Sequence, residues 1–298
     1  MGITINWDDQ TDQQLDAIEV YRSDAVINPN NPGTPLATLP GTARSYEDTT
    51  VKVGNTYFYT VAVVKGGNRS FGASQSQGYF SNLGPGPQRV IRGDWVRGYF
   101  GEIMNVDWVS PVDVVTKIKA ALKSTAGLTF VTSSDRWHKF IYKGKIFFAP
   151  STRMIYSTYQ NAYNAGFLFG EDGVGHLPTG DAGTVNQKTV IEINGYQFLV
   201  RPIRMTDKPT TQYLTSADDF LNGEWKSTFA RLRLDANAMV DPTVLPRFSD
   251  YSSIDYCGGP HLADANNCAT ANSGNPELLA TTVKTSNINW CIVLELLP

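Results

Sequence analysis

Three cysteines, three histidines and a scatter of loop acids are the residues of this 298-residue chain with chemistry to offer. Cys257, Cys268 and Cys291 all lie near the C-terminal end, and none sits in a C-x-x-C pair, so the spacing of a zinc ribbon is missing. A disulfide between Cys257 and Cys268 is compatible with the spacing, and the odd count leaves at least one thiol unpaired. For a chain made in a reducing cytoplasm, buried or idle thiols are favoured over a bridge. A reactive thiolate wants neighbouring cations or a helix N-terminus, whereas the segment around Cys257 and Cys268 carries Asp250, Asp255 and Asp264. With Glu277 these acids supply some oxygen ligands, but without the dense spacing that calcium needs. Solvated loop acids are expected, with no metal and no cofactor. His138, His176 and His261 are far apart, and no Gly-x-Ser-x-Gly elbow accompanies them. His138, beside Trp137, reads as a surface residue on a strand edge. Gly173-Val174-Gly175 lacks the strand–turn–helix setting of a phosphate loop and reads as part of a long exposed loop. Paired carboxylates for glycoside cleavage are recognised by distance rather than sequence and stay open at this point.

Binding is the better reading. Residues 249–275, SDYSSIDYCGGPHLADANNCATANSGN, have the Tyr/Ser/Gly/Asn make-up of recognition loops. There aromatic rings give contact area at little entropic cost and amides adapt their hydrogen bonds. The candidate contact residues are Tyr251, Asp255, Tyr256, His261, Asn266, Asn267 and Asn272. A receptor-facing and a neighbour-facing role are equally compatible with this composition. Deleting residues 250–275 is expected to spare folding and remove binding.

Positioning such a loop takes a framework, and composition says of what kind. The chain is 41% hydrophobic and 11% aromatic but only 18% charged, which suits a β-rich protein with a hydroxyl- and amide-covered surface. A net charge of −3 argues against a nucleic-acid partner. No apolar run is long enough to span a membrane, and the N-terminus lacks the basic-then-apolar pattern of a cleaved leader. Residues 1–84 read as short strands: Ile3, Ile5 and Trp7 alternate with polar residues, Ile18 and Val20 share a face opposite Tyr21, and Tyr57, Tyr59, Val61 and Val63 share another. Strands at this spacing without helical period predict a β-sandwich. Residues 85–92, rich in Pro and Gly, read as a short connector. Residues 93–298 are α+β. Ser110-Pro111 caps a helix with Val112, Val115, Ile118 and Leu122 as its apolar stripe. Tyr159, Ala162, Tyr163 and Ala165 mark a second helix ending at Gly166, and EWKSTFARLRL a third. Hairpins turn at Lys143-Gly144 and Asn194-Gly195. Residues 235–286 read as loops, and the closing NINWCIVLELLP as one core strand, with Trp290, Ile292, Leu294 and Leu296 on one face and Cys291 on the other.

Two sets of residues carry a resemblance. Trp7, IEVYRSD, Ser45-Tyr46-x-Asp48-Thr49 and Gly54-x-Thr56-Tyr57-x-Tyr59-x-Val61-Ala62-Val63 together resemble a fibronectin type III module over about the first 84 residues. Such modules are spacers or docking units. Trp137, Lys139-Phe140, Gly144-Lys145, Gln187, Val200-Arg201, Glu224-Trp225, Arg231-Leu232 and Trp290-Cys291-Ile292-Val293-Leu294-Glu295-Leu296 form a collinear set over residues 130–298 that resembles bacteriophage virion proteins. By extension this half is similar to the C-type-lectin-like fold shared with formylglycine-generating and sulfatase-modifying enzymes, in which the first and last strands pair. Cys257 and Cys268 do not match the copper-site cysteine pair of those enzymes. Asn275-Pro276-Glu277 and Asn289-Trp290 do not match the calcium motifs of sugar-binding lectins.

The expectation is therefore a mainly β chain with an α+β second half, an Ig-like or fibronectin type III sandwich followed by a C-type-lectin-like domain. The resemblance implies a non-enzymatic structural or adhesion component of a tailed-phage virion, in a tail fibre, baseplate or tail tip. It would be assembled in the host cytoplasm, released by lysis, and homo-oligomeric within the particle. Its partners would be other virion proteins and a host surface glycan or protein receptor. The alternatives are a decoration fibre on capsid or collar, and a carbohydrate-active or sulfatase-modifying-like enzyme carried by a fibronectin type III spacer.

Overall fold

The structure is a computed structural model that describes residues 2–177, 179, 181–214, 216, 219, 223–230, 257–271 and 279–298, with backbone alone for Cys257 and Leu279. It is mainly β, with several antiparallel sheets. The chain divides into two compact units, Met1–Leu83 with Arg92–Val96, and Gly84–Ile91 with Arg97–Pro298. Of residues 85–92, expected as a short connector, 85–91 thus belong to the second unit and Arg92 to the first, and the chain leaves the first unit again at residue 97.

The first unit contains β1 (Ile3–Asn6), β2 (Ala17–Ser23), β3 (Ala37–Pro40), β4 (Ser45–Asp48), β5 (Asn55–Lys65), β6 (Asn68–Phe71), β7 (Gln75–Tyr79) and the two-residue β8 (Arg92–Gly93). β1 pairs with β4, while β3, β2, β5 and β6 follow in that order in a second sheet, where β7 also pairs with β5. The two sheets share a core of Ile3, Val20, Tyr57 and Tyr59, flanked by Ile5, Trp7, Leu39 and Tyr46. Tyr21 and Ala62 pack on the opposite face with Ile27 and Phe71, as the two-residue period of a strand requires. Tyr57 accepts a hydrogen bond at its hydroxyl from the Lys52 N–H at 2.9 Å, tying the start of β5 to the preceding turn. Trp95 returns from residue 92 onward to stack on Phe80, 5.9 Å between ring centres.

The second unit runs β9 (Arg97–Met104), α1 (Pro111–Ala121), β10 (Thr129–Phe130), β11 (Arg136–Tyr142), β12 (Lys145–Pro150), β13 (Ile155–Ser157), α2 (Tyr159–Ala165), β14 (Thr189–Ile193), β15 (Tyr196–Pro202), a π-helical turn Lys226–Ala230, β16 (Cys257–Leu262), β17 (Asn267–Ala271), β18 (Leu279–Val283), β19 (Ile288–Trp290) and β20 (Ile292–Leu296). Its larger sheet has the order β14-β15-β20-β12-β11-β9, and a six-stranded sheet has the order β10-β13-β19-β16-β17-β18. Both predicted hairpins form. Lys143 and Asn194 take φ of 48° and 51°, followed by Gly144 and Gly195 at 80° and 82°. Positive φ at both central residues matches the twist of the flanking strands, and only glycine takes the second place without strain.

α1 starts as predicted: the Ser110 side chain accepts from the Asp113 N–H, and Pro111 opens the first turn. Its buried face, however, is Pro111, Val114, Val115 and Ile118, and Val112 is 57% exposed. The helix ends at Ala121 and Leu122 is its cap, so the longer stripe read from the sequence was rotated. α2 matches, with Tyr159, Ala162, Tyr163 and Ala165 buried and Gly166 closing it at φ 80°. Residues 257–271 and 279–283, expected in loops, are three strands of the smaller sheet. Gly and Asn made that stretch look like loop, but β17 pairs with both β16 and β18, and β16 also takes β19 as a parallel neighbour.

The C-terminal run is two strands, not one. β19 pairs with β13 and, in parallel, with β16, whereas β20 lies between β15 and β12. Cys291 is the step between the two sheets, and its carbonyl accepts from the Ile203 N–H at 2.8 Å. Trp290, Cys291, Ile292, Val293 and Leu294 are all fully buried, on both faces of the run. Burying such side chains contributes roughly 1.5–3 kcal/mol each. The pairing of first and last strands implied by the lectin-like resemblance is not formed: β9 pairs with β11, and β20 holds a central place instead. Among the described residues, no helix is long and apolar enough to cross a membrane.

Candidate functional site

Of the predicted contact residues, Tyr251, Asp255, Tyr256 and Asn272 lie outside the described residues. His261, Asn266, Asn267 and Cys268 fall on the β16–β17 hairpin, and the structure separates their roles. His261 is 1% exposed. Its Nε2 lies 3.2 Å from the Lys208 carbonyl, its Nδ1 has no hydrogen-bond partner, and burial lowers its pKa to about 4. It is a neutral core histidine rather than a contact residue, because the hairpin it sits on is a sheet strand. Asn267 is half-buried and closes the turn: Asp264 accepts from the Asn266 and Asn267 N–H groups at 2.7 and 2.8 Å and from Asn267 Nδ2. This is the self-bonded turn that Asp favours, and those bonds, led by the Asn267 side chain, lower the Asp264 carboxyl pKa. Asp264 is thereby committed to the turn. Lys284 laces the same turn, Nζ to the Ala265 carbonyl at 2.7 Å and N–H to the Asn266 carbonyl at 3.0 Å. Asn266 alone of the described candidates presents an exposed side chain. A deletion of residues 250–275 would also remove β16 and β17, so the expectation that it spares folding is corrected.

The cysteines are not poised for reaction. Cys268 is a free, buried thiol that donates to the Thr282 carbonyl at 3.5 Å, and burial pushes its pKa up to about 12. The thiolate, the nucleophilic form, is suppressed. The ladder sets Cys257 opposite Ala271 and Cys268 opposite Leu262, several residues apart along the strand and beyond the Cα separation a disulfide spans. Cys291 is buried and forms no disulfide. Among the described residues, no three His, Cys, Asp or Glu side chains gather as a metal site.

The other histidines are internal as well. His138, expected on a surface edge, is fully buried in β11 between β9 and β12. Burial, reinforced by nearby Arg136, lowers its pKa to about 3. Its ring is thus neutral near pH 7, and the 3.9 Å approach of Glu102 is no ion pair there. Tyr99 Oη lies 3.2 Å from Nδ1. His176 lies in the loop of Gly173 and Gly175 but is buried there, Nε2 on the Thr210 carbonyl at 2.9 Å and its ring against Phe169.

The strongest concentration of charge was not singled out as chemistry by sequence reasoning. Arg201 on β15 is buried, with Nη1 and Nη2 each 2.7 Å from a Glu224 oxygen and Nε 2.6 Å from Glu295 on β20. Lys145 at the start of β12 reaches the second Glu295 oxygen at 3.1 Å. Burial pushes the Glu295 pKa up, but Arg201 and Lys145 outweigh it and leave the carboxyl below its ordinary value. Glu224 also accepts from the Arg204 N–H, and Trp225 beside it stacks on Phe229, which packs on Phe140. Gln187 binds the end of α2 through the Leu168 N–H and the Tyr163 carbonyl. Lys139 is fully buried, donates to the carbonyls of Pro85 and Pro87 at 2.9 and 2.6 Å, and lies over the rings of Phe100 and Phe148. Burial lowers its pKa to about 7. These groups hold strands to one another. The one signal in the sequence was their place in the collinear set, where Lys139, Lys145, Gln187, Arg201, Glu224 and Glu295 all appear.

Compared with models of known protein families and with curated proteins, the chain matches none.

Proposed function

We propose that this chain is a non-enzymatic structural and adhesion component of a tailed bacteriophage particle, in a tail fibre, baseplate or tail tip. It docks to other virion proteins as a homo-oligomer and presents a host-facing loop region. What carries the reading is the convergence of the virion-like collinear residues. Lys145, Arg201, Glu224 and Glu295 are dispersed along the sequence yet meet in one network, buried except at the partly exposed Lys145. Chance matches to a phrase have no reason to share a contact, whereas residues that form one framework do.

On this reading the first unit is a fibronectin type III-like sandwich used as spacer and dock. Its support is the β1–β4 pair facing the β3-β2-β5 sheet and the Tyr57 hydroxyl bound to the backbone of Lys52, a tie of the kind found at the corner of such sandwiches. The second unit is a C-type-lectin-like scaffold in which the final strand has taken a central place. At the β16–β17 turn it exposes the Asn266 side chain.

The test is the composition of the particle. Virions purified on a density gradient are quantified by mass spectrometry and labelled with antibodies against this chain. Several copies per particle at a tail position are expected. A chain abundant in the lysate but missing from purified particles would overturn the proposal.

A further inference from the structure

The first unit has an open strand edge beside a cavity. Among the described residues β1 pairs with β4 alone, on one side. Trp7 N–H donates to the Arg44 carbonyl at 3.2 Å, and the register sets Ile5 against Tyr46 and Ile3 against Asp48. In an antiparallel ladder, hydrogen-bonded and non-hydrogen-bonded pairs alternate. Ile3, Ile5 and Trp7 therefore turn their backbone groups to β4, and Thr4 and Asn6 turn theirs to the open side. Next to β1 lies a cavity of about 280 Å³, walled by β1, by Tyr59–Val61 of β5 and by residues around Gln75–Gln77 of β7. β7 has no strand partner other than β5 among the described residues. The walls contain no Asp, Glu, Lys, Arg or His.

Exposed edges are normally blunted by charge, proline or a bulge, because unpaired backbone groups recruit other strands. β7, which also borders the cavity, carries neither charge nor proline, but the remaining edges of this unit follow that rule. β3 ends in Pro40, β6 carries Arg69, and β4 carries the exposed Glu47. β1 reads Ile-Thr-Ile-Asn, with no charge and no proline. The cavity is smaller than the roughly 300–1,000 Å³ typical of small-molecule pockets, but it adjoins backbone donors and acceptors that a peptide strand satisfies.

We propose that β1 is a site of β-strand addition. An extended, uncharged segment of another protein of the particle, apolar at alternate residues, pairs with Thr4 and Asn6 and sends its apolar side chains into the cavity. Main-chain bonds give such a contact its affinity and alternate side chains its specificity. The occupant is not β1 of a second copy, because Ile3, Ile5 and Trp7 there already pack into their own core. The neutral lining selects against charged side chains, which would be buried without partners. This deepens the docking role proposed above by naming the surface and the partner's chemistry.

The experiment follows amide exchange by NMR in the full-length protein, with the acetylated and amidated peptide Thr-Val-Thr-Val-Thr-Val-Thr as probe. Exchange at Thr4 and Asn6 is expected to slow about tenfold or more, with Ile3 and Ile5 unchanged, as for amides newly closed into a ladder. A peptide N-methylated at every residue, and one with Lys in place of Val, should leave exchange unchanged. Thr4→Pro removes only an outward N–H and should abolish the slowing at Asn6; Thr4→Lys, which keeps the backbone, should do the same if the proline variant melts early. The proposal is overturned by unchanged exchange with the first peptide, or by equal slowing with the N-methylated one. Slowing that grows with protein concentration alone would also overturn it, since the occupant would then be a second copy. Particle composition decides the phage reading separately, so either result can fail without the other.

Discussion

The two units use buried charge differently. In the first, Asp48 is buried among mostly neutral partners, the Tyr59 and Thr50 hydroxyls and the Thr50 N–H, with the partly exposed Arg22 guanidinium as its cation. Burial pushes its carboxyl up, and these bonds more than reverse the shift. Its other large pair, Glu19 with Arg69, has a half-exposed arginine and is worth little in water. In the second unit the deep charges join distant parts of the chain: Arg201 to Glu224 and Glu295, and Lys139 to the carbonyls of residues 85 and 87, with Lys145 reaching Glu295 from a partly exposed position. The first unit also joins distant strands, β1 with β4 and β2 with β5, but its buried carboxylates pair with partly exposed arginines. The second must bring its last strand home before its buried charges are satisfied, and that makes it the more fragile under substitution.

Four measurements would break or sharpen this contrast. Removing residues 287–298 takes out β19 and β20, the strands central to both sheets. The second unit should fail to fold while the first keeps a cooperative melt, and a native-like second transition in calorimetry would defeat the argument. Arg201→Met leaves Glu224 and Glu295 buried without their main cation, and should cost the second unit about 3–5 kcal/mol. In a denaturant titration only its transition should move.

A smaller effect is the response to acid. His138 titrates at about 3 in the folded chain, below the 6.5 of the unfolded one. Below that unfolded value the unfolded state binds a proton that the native state refuses. Stability is therefore complete above pH 6.5 and falls toward pH 3, by at most ~1.4 kcal/mol per pH unit. His261 acts in the same direction down to about pH 4. In His138→Phe the acid limb of the second transition should be shallower, as thermal melts between pH 7 and 4 would read. Smallest is Tyr57→Phe in the first unit, which loses the Lys52 bond for about 0.5–1.5 kcal/mol and should leave the second transition where it was.

Local chemistry was legible where it acted alone. The turns at Lys143-Gly144 and Asn194-Gly195, the Ser110-Pro111 cap, the face of α2 and the opposed sides of β2 all follow from neighbours in the chain. The helix stripe failed at Val112 because pattern alone does not say which side meets β14. The candidate site was less legible. Composition marked residues 249–275 as a loop, yet Cys257–Leu262 and Asn267–Ala271 are strands, and His261 on the first of them is buried with its Nε2 on the Lys208 carbonyl, 53 residues earlier.

NINWCIVLELLP shows where the division lies. Its run of aliphatic residues is enough to require burial, since exposing them to water is unfavourable in any fold. That it breaks at Cys291, gives Trp290 to one sheet and Ile292–Leu296 to the other, and seats Glu295 on Arg201 depends on strands more than 80 residues earlier in the chain. Apolar burial has no direction and is written in composition. Hydrogen-bond register and charge pairing are directional, and they exist only once the partner strand is beside them.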